Sequence, residues 1–438
     1  MNVFITTLGC KANQYDSFAI EEMLAREDFQ IVPDLEEAHA CIINTCTVTG
    51  RTDAQARQLI RRVKRYNSNA LVIVTGCYAQ VSPDEVAKIE GVDYVLGNGE
   101  KEQVVEHLLM GRPVGASVAA LASPKVTVRN DGSAIGLRAS GAPGRTRAYL
   151  KVQDGCDNTC TYCIIPAARG ETRSVPRQTL FSEIDVLVEK GYREIVLTGI
   201  HLGSYGEEFS PPESITGLLR SIEERSYPCR FRVSSLDADE ITDGLVDLMA
   251  TAGTICRHLH LPIQSGDDTI IKRMGRGGGA DVVRERVERI ASSIPDIAIG
   301  LDLIVGFPGE GDVEFMNTVR LLEKLPIAYM HIFPFSKREG TPAASFTGQV
   351  DGKIIKERCR VLRNLDGEKR AAFYGSYLGR EVSALVEGAR NRETGLMQGR
   401  SDNYIPVLLA NYDGPTNRLL SVRLDTVTEN GVVGTVVT

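Results

Sequence analysis

Residues 155–170 read GCDNTCTYCIIPAARG and contain three cysteines, Cys156, Cys160 and Cys163, in the spacing CxxxCxxC. The stretch directly follows a short segment, Tyr149–Val152, that predicts a strand. Three thiolates on one loop can hold three irons of a cubane 4Fe-4S cluster and leave the fourth iron without a protein ligand. An open metal position is a site for substrate chemistry. A zinc site is disfavoured because no fourth ligand lies nearby, and a three-cysteine loop without function is the remaining alternative.

The sequence after this loop alternates between short apolar segments, which predict strands, and longer amphipathic segments, which predict helices. Six strand-helix steps point to a partial parallel (β/α)6 barrel, in which functional loops follow the C-terminal ends of the strands. The predicted strands are Tyr149–Val152, Glu194–Thr198, Arg230–Ser234, His258–Leu261, Ala298–Ile304 and Ala328–Phe333, and the predicted helices are Leu180–Lys190, Ile215–Glu224, Asp243–Thr251, Asp281–Ser293 and Asp312–Lys324.

Three further cysteines stand at the ends of predicted strands near the start of the chain. This region also alternates apolar and amphipathic segments, which is typical of an open parallel α/β sheet. Cys10 ends VFITTLGC, Cys46 ends CIINTC and Cys77 ends LVIVTGC. Because ligands bind outside the carboxyl ends of the strands in such sheets, we expect the three thiols to converge and to hold a second cluster with one open iron. Burial as a core cysteine is the alternative for each one taken singly.

The chain divides by composition into four parts. Residues 1–114 form the N-terminal sheet domain, and residues 115–144, rich in Ala, Ser and Gly, form a linker. Residues 145–374 form the barrel, which ends in a basic helix. Residues 375–438 show alternating β-branched residues and an Asn430-Gly431 turn signal, which together predict a small all-β barrel.

Composition limits the classes of function. The 438 residues include no apolar run long enough to span a membrane and no signal-like start, so we expect a cytoplasmic protein with no membrane partner. Ten cysteines without a secretion signal indicate reduced thiols and metal ligation rather than disulfides. The net charge of −7 argues mildly against nucleic acid, although basic residues cluster locally. The basic clusters include Arg57, Arg61, Arg62, Lys64, Arg65; Arg138, Arg145, Arg147, Lys151; and Lys353, Lys356, Arg358, Arg360, Arg363. Four cysteines share no placement and are interpreted as core residues: Cys41, Cys229, Cys256 and Cys359.

The motifs of the chain resemble those of the radical S-adenosylmethionine (SAM) methylthiotransferase family over nearly its whole length. Besides the CxxxCxxC loop, they are LGCKANQYDS, NTCTVT, LPIQSGDDTIIKRMGRG, DLIVGFPGE and FSKREGTPA. TGIHLGSYG at residues 198–206 and NQYDS at residues 13–17 are most similar to the bacterial MtaB branch. The resemblance implies a radical SAM barrel, a C-terminal TRAM-like domain, two 4Fe-4S clusters and SAM as methyl donor and radical source. It also implies conversion of N6-threonylcarbamoyladenosine next to the tRNA anticodon to its 2-methylthio derivative.

The resemblance further implies roles for individual residues. Cys156, Cys160 and Cys163 would hold the cluster that binds SAM, and Cys10, Cys46 and Cys77 the second cluster. Tyr162 would lie near the adenine of SAM, and Thr198-Gly199 near its methionine amino group. Further candidates for SAM contacts are Ser234, Gln264, Ser265 and Gly306, for which a turn or capping role is the alternative. The implied partners are the tRNA anticodon stem-loop, a reductant such as flavodoxin or ferredoxin, and a sulfur donor.

Three other functions stay open at this point. A relative within the family modifies isopentenyladenosine in tRNA, and another modifies a ribosomal-protein aspartate by the same chemistry. A different class is a non-catalytic iron-sulfur electron carrier or RNA-binding protein, but carriers usually ligate all four irons with cysteine. The C-terminal segment departs from a simple RNA-binding pattern, because its arginines are roughly matched by acidic residues.

Overall fold

The computed structural model describes residues 1–110, 124–129, 134–142 and 144–437. Residues 115–123, 130–133 and 143 of the predicted linker lie outside the described residues. No described helix is both long and apolar enough to cross a membrane.

The N-terminal region is a six-stranded parallel sheet in the order β2-β1-β3-β4-β5-β6, so the predicted open parallel sheet is confirmed. The segment Lys125–Thr127 falls in the predicted linker, but its backbone pairs with the preceding strand and extends the sheet. The strands are β1 (Asn2–Thr7), β2 (Gln30–Ile31), β3 (Ala40–Thr45), β4 (Leu71–Gly76), β5 (Tyr94–Leu96) and β6 (Lys125–Thr127), and the helices are α1 (Lys11–Arg26), α2 (Gly50–Tyr66), α3 (Cys77–Val81), α4 (Pro83–Ala87) and α5 (Val104–Met110).

The central strands β3 and β4 are buried on both faces, as their continuous apolar sequences require. Successive side chains point to opposite faces. Cys41 and Ile43 therefore pack against α2, while Ala40 and Ile42 pack against α1 and α5. Cys41 is fully buried among these apolar residues. This packing leaves the C-terminal edge of the sheet as the place where polar loop residues collect.

The middle of the chain is an open parallel barrel. Strands β11-β10-β7 form one sheet and β12-β13-β14 another, and the bridges Phe231–Ile255 and Ser235–His260 join them. The strand order is thus β7-β10-β11-β12-β13-β14, which confirms the predicted partial barrel. The barrel strands are β7 (Arg147–Lys151), β10 (Glu194–Thr198), β11 (Arg230–Val233), β12 (His258–Gln264), β13 (Ala298–Val305) and β14 (Tyr329–Pro334). Two short strands, β8 (Gln153–Asp154) and β9 (Arg173–Ser174), form a separate antiparallel pair. The helices of this region are α6 (Ile165–Arg169), α7 (Arg177–Glu189), α8 (Ile215–Glu224), α9 (Asp243–Thr251), α10 (Asp268–Arg273), α11 (Ala280–Ser293), α12 (Asp312–Lys324) and α13 (Gly352–Gly375).

The C-terminal region is a closed five-stranded barrel in the order β15-β16-β17-β19-β18, consistent with the TRAM-like barrel expected from the sequence. Its interior is apolar and includes Val386, Val407 and Leu424. The predicted Asn-Gly turn joins the last two strands, and Gly431 has a φ of 136°, which favours glycine. The strands are β15 (Glu381–Arg390), β16 (Met397–Ser401), β17 (Pro406–Leu409), β18 (Leu419–Thr428) and β19 (Gly431–Val436).

The N-terminal sheet domain covers the open side of the central barrel. Strands β7 and β14 are the two edges of that barrel, and the described residues show no pairing between them. Helix α1 packs on β7, where the rings of Phe18 and Tyr149 stack with centroids 6.3 Å apart. Past β14, the Ser336 hydroxyl accepts a hydrogen bond of 3.0 Å from the Gly50 amide. The barrel lumen is therefore bounded by both domains.

The small C-terminal barrel packs at the end of the central barrel where the strands begin. The guanidinium of Arg230, at the start of β11, donates to the carbonyls of Ser383 and Arg400 at 3.0 and 2.7 Å. Arg232 donates to the carbonyls of Asp402 and Ser401 at 2.8 and 3.1 Å. These contacts place the C-terminal barrel opposite the loops that carry the candidate site.

Candidate active site

The CxxxCxxC loop is held rigidly between β7 and α6. The Cys156 amide donates to the Gly170 carbonyl at 3.0 Å, and the Thr161 amide donates to the Met274 carbonyl at 2.8 Å. Gly155 has a φ of 79°, and a Cβ there would lie 1.9 Å from the Glu171 carbonyl oxygen. Only glycine fits this close approach of two backbone segments, so the turn into the loop depends on Gly155.

The three cysteines of this loop line one cavity of about 260 Å³. Burial, together with the charges of Cys160 and Cys156, raises the pKa of Cys163 to about 11, which means that the three thiols are close neighbours. The described residues that line the cavity include no fourth cysteine. This donor set fits a 4Fe-4S cluster with one iron open to the cavity.

Some predicted SAM-binding residues lie at this cavity. Tyr162 and Gln264 line it, and the Tyr162 ring meets the edge of Phe307 with centroids 6.5 Å apart. Thr198 ends β10 and is not among the residues that line the cavity, but Ile200 and His201 of the same loop do line it, and their amides donate to the Gln153 side-chain oxygen at 2.9 and 2.8 Å.

The structure does not bring the other predicted SAM-binding residues to the cavity wall. A Cβ on Gly199 would lie 2.9 Å from the Gln153 side-chain oxygen, so this position is close-packed. Ser234 is buried beside the cavity residue Ser235. The Ser265 hydroxyl accepts from the Asp267 amide at 3.2 Å, and the Gly306 amide donates to Glu310 at 3.0 Å. Ser265 and Gly306 therefore make turn contacts.

Four charged cavity residues were missed by sequence reasoning: His201, Asp237, Glu240 and Arg276. Arg276 pairs with Asp237 at 2.5 Å and its Nη1 lies 3.9 Å from the Cys160 sulfur. Burial lowers the pKa of His201, but hydrogen bonds to Cys156 and Glu240 outweigh it and raise the pKa to about 10. Their position in the sequence could have identified two of them. His201 and Asp237 follow the C-terminal ends of β10 and β11, where the functional loops of a parallel barrel lie.

The second group of cysteines lies at the C-terminal edge of the N-terminal sheet. Register pairs Thr7 with Asn44 and Thr45 with Gly76, so the residues that follow these strands are neighbours. Burial, together with the charges of Cys77 and Cys10, raises the pKa of Cys46 to about 12. The strand ends therefore bring together the three thiols that the sequence predicts to converge.

Packing around this second group leaves no room for a side chain at position 9. A Cβ on Gly9, whose φ is 103°, would lie 2.7 Å from the Cys46 sulfur. Cys10 caps α1 and Cys77 begins α3, and helix N-termini favour thiolates. The Asn98 amide approaches the Cys77 sulfur at 3.7 Å. Three thiols with such surroundings fit a second three-cysteine cluster.

A buried network of charges joins the two groups of cysteines through α6. Asp16 accepts from Lys101 at 2.6 Å and from Lys151 at 2.7 Å, and Arg169 pairs with Asp154 at 3.0 Å and Asp16 at 3.2 Å. All five side chains are fully buried. Three cations against two carboxylates leave one excess positive charge.

The excess charge of this network lies beside the N-terminal thiols. Burial alone would lower the pKa of Arg169, but the charges of Asp154, Cys77 and Asp16 raise it well above its ordinary value. Among the described residues, the Arg169 Nε has no hydrogen-bond partner. An arginine in this position stabilises thiolates and an anionic group that they hold.

The basic stretches differ in their exposure. On α2, Arg61, Arg62 and Arg65 are exposed and available to a polyanion. On α13, Arg358 is buried and pairs with Glu310 and Asp312 at 2.8 Å each. Arg358 is therefore engaged in holding α13 and is less accessible to a polyanion than the exposed arginines of α2.

Comparison with known proteins gives concordant results. Residues 2–97 match the uncharacterized protein family UPF0004, and residues 150–322 match the Radical SAM superfamily. The chain is 38% identical to a threonylcarbamoyladenosine tRNA methylthiotransferase MtaB of Thermotoga maritima, covering 98% of this chain and 96% of the relative. It is 36% identical to the protein of the same name in Bacillus subtilis, covering 95% and 92%. The radical S-adenosylmethionine methyltransferase TsrM of Kitasatospora setae shares the fold, with a TM-score of 0.55 and 16% identity over 78% of this chain and 77% of that chain.

Proposed function

Since the chain belongs to the methylthiotransferase family of radical SAM enzymes, we propose that it inserts a methylthio group at C2 of N6-threonylcarbamoyladenosine beside the tRNA anticodon. The observation that carries this proposal is the pair of three-cysteine groups joined through α6 by one buried charge network. An electron carrier has no need of two clusters that each keep an open iron.

Cys156, Cys160 and Cys163 would hold the cluster that binds SAM. That cluster with SAM supplies the one-electron chemistry that an unactivated C–H bond of adenine requires. The protein binds and orients the cofactor with the cavity residues. Tyr162 offers an aromatic face and Gln264 a polar side chain, while the Arg276–Asp237 pair holds one wall of the cavity in place.

Cys10, Cys46 and Cys77 would hold the second cluster. That cluster would supply an open iron position for the sulfur of the methylthio group. The chain contributes the glycine that permits close approach of the thiols, the two helix N-termini and the nearby charge of Arg169. Coverage of the open barrel side by the N-terminal domain keeps water from the lumen, which protects a radical from side reactions.

The proposed partners follow from this chemistry. The enzyme acts on the anticodon stem-loop of tRNA in the cytoplasm, receives electrons from a small reductant such as flavodoxin or ferredoxin, and takes sulfur from a separate donor. The domain assignment is part of the proposal: residues 1–114 carry the second cluster, 145–374 form the radical SAM core and 375–438 the TRAM domain.

The test is a nucleoside analysis of tRNA by mass spectrometry. tRNA that contains N6-threonylcarbamoyladenosine is incubated anaerobically with the reconstituted enzyme, SAM, sulfide and a reductant. The expected product is the 2-methylthio derivative, together with 5′-deoxyadenosine. Conversion of isopentenyladenosine tRNA or of a ribosomal-protein aspartate in place of this nucleoside would overturn the substrate assignment. Absence of 5′-deoxyadenosine with every substrate would overturn the enzyme class.

A further inference from the structure

Lys11 is a charged residue for which the described part of the chain supplies no partner. It directly follows Cys10, begins α1 and is partly buried. No described residue makes a hydrogen bond or ion pair with its ammonium group, whereas the next buried lysine of this domain, Lys101, has Asp16 at 2.6 Å.

The surroundings of Lys11 are those of the barrel lumen. Its charge interacts with Tyr404, Arg147, Arg232 and Asp302, which belong to β7, β11, β13 and the C-terminal barrel. This location follows from the docking of α1 on β7, where Asp16 pairs with Lys151 at 2.7 Å. These charge interactions place the first residue of α1 near the inner residues of the barrel strands.

The far wall of this space carries a His-Asp-His cluster. Leu259 and Leu261 pack into the outer apolar core, so the residue between them, His260, points inward. Asp302 lies opposite His331 in the strand register, and its Oδ1 lies 2.8 Å from His260 Nε2 and 3.0 Å from His331 Nδ1. Two imidazoles thus already engage Asp302, the carboxylate whose charge interacts with Lys11, while half of the His331 side chain (49%) is exposed.

The floor of the lumen is also rich in positive charge. Glu194 is shared by Arg230 and Arg232, and Arg147 lies between Glu194 and Glu387. With Lys11 and Arg400, the cations number five, and the carboxylates, with Asp302, number three. These eight described residues together carry about two excess positive charges in a chain whose net charge is −7.

An enclosed cationic space with an unpaired lysine is suited to an anionic ligand. The adenine base is neutral, but the threonylcarbamoyl substituent on its N6 ends in a carboxylate. We propose that Lys11, together with the exposed edge of His331, binds this carboxylate and so selects the modified adenosine. This inference rests on the proposed function. The ring of Phe333, which is 43% exposed on the same strand as His331, offers the base a stacking surface.

The experiment measures binding of full-length reconstituted enzyme to three anticodon stem-loops. They carry N6-threonylcarbamoyladenosine, its methyl ester or unmodified adenosine at the same position. We expect the wild type to bind the acid about tenfold more tightly than the ester, because the ester removes one charge-assisted hydrogen bond. Lys11→Met should lose this preference and leave the other two affinities within about twofold, and Lys11→Arg should keep most of it.

The controls separate a local effect from loss of structure. Lys88→Met alters an exposed lysine of the same domain and should bind all three stem-loops as the wild type does. Iron content and thermal unfolding of Lys11→Met should match the wild type. The acid-against-ester comparison on the wild type needs no variant, so it remains decisive even if Lys11→Met fails to fold.

Two results would overturn the inference. Equal weakening of all three stem-loops by Lys11→Met would mean that Lys11 binds a backbone phosphate. Equal affinity of the wild type for the acid and the ester stem-loops would mean that no cation of the enzyme binds the carboxylate. In both cases the nucleoside assay would still report the 2-methylthio product, so a failure of this inference is distinguishable from a failure of the proposed function.

Discussion

The two groups of cysteines are assembled in different ways. Cys156, Cys160 and Cys163 belong to one loop whose backbone hydrogen bonds hold it in place, and they open onto a cavity with its own charged wall. Cys10, Cys46 and Cys77 come from three strand ends, and a buried charge network stands behind them. We call the first three cysteines the loop group and the second three the assembled group. The loop group depends on one loop, whereas the assembled group depends on the correct packing of a whole sheet and of α6 against it.

The largest effect is expected from removal of the loop group. Replacing Cys156, Cys160 and Cys163 together by Ala should abolish 5′-deoxyadenosine formation, because SAM loses the cluster that activates it. Chromatographic assay of SAM cleavage under anaerobic reduction measures this. A matched change at the core cysteines Cys229 and Cys359, which lie outside both groups, should leave cleavage intact. Cleavage by the loop variant at the wild-type rate would refute the assignment of this group.

Removal of the assembled group should separate the two roles. Replacing Cys10, Cys46 and Cys77 by Ala should reduce iron content to about half, since one cubane of two is lost. SAM cleavage should persist while the methylthio product disappears. Iron quantification and nucleoside mass spectrometry measure the two outcomes. Unchanged iron content would mean that these cysteines are core residues and that only one cluster is present.

The dependence of the assembled group on its charge network can be tested at Arg169. Arg169→Met removes the guanidinium that pairs with both Asp154 and Asp16 in a fully buried site and leaves only the two lysines as their partners, and we expect a loss of about 3–5 kcal/mol in the free energy of unfolding. Denaturant unfolding followed by circular dichroism measures this loss. Arg390→Met breaks an exposed ion pair with Asp413 and should cost less than about 1 kcal/mol. Equal losses for the two variants would contradict a special role of the network.

Acid stability should also distinguish the two regions. Burial opposes ionisation of Asp16, but Lys101, Lys151 and Arg169 hold its pKa well below the ordinary value. Its contribution is therefore present above the unfolded pKa of about 4 and is lost as the pH falls below it. We expect Asp16→Asn to reduce the loss of unfolding free energy between about pH 5 and about pH 3 by ~1–2 kcal/mol. The measurement uses the metal-free chain, so that acid loss of iron does not contribute.

The matched carboxylate beside the loop group has the opposite shift. Burial raises the pKa of Asp237, although Arg276 opposes this. In the folded chain Asp237 therefore takes up its proton at a higher pH than in the unfolded chain, which favours the folded state on acidification. Asp237→Asn should therefore not reduce the loss of unfolding free energy on acidification. A reduction as large as that of Asp16→Asn would show that the two regions do not differ electrostatically.

The ease of sequence-based prediction follows the same contrast. The loop group could be located from spacing alone, and the strand-helix alternation predicted both parallel sheets. The alternation of β-branched residues and the Asn430-Gly431 turn signal predicted the small C-terminal barrel. The convergence of Cys10, Cys46 and Cys77 required a structural step, the common edge of parallel strands. The roles of both groups as cluster ligands stay predictions.

Interactions made only by tertiary packing could not be predicted. Arg276 and Glu240 reach the cavity from loops distant in sequence, and Lys11 reaches the lumen only because α1 docks on β7. In the sequence, Arg358 is one more basic residue of an amphipathic helix. In the structure, its partners Glu310 and Asp312 come from a different segment. The periodicity of a sequence indicates which face of a helix is buried. It does not indicate the charge of the surface that packs against this face.

The smallest expected effect concerns the binding of tRNA to the surface of the N-terminal domain, which also holds the assembled group. Arg61, Arg62 and Arg65 are exposed on α2 and free to neutralise phosphates, whereas Arg284, Arg286 and Arg289 on α11 are engaged with Asp281, Asp243 and Asp247. Replacing the first three by Ser should weaken tRNA binding and reduce the slope of log affinity against log salt by about two to three units, roughly one for each phosphate that is no longer neutralised. The same change at the three α11 arginines removes equal charge from the chain and should leave the slope within about half a unit, because those side chains are already neutralised. If both triples lowered the slope equally, the tRNA would respond only to net charge, and the N-terminal domain would have no special part in binding it.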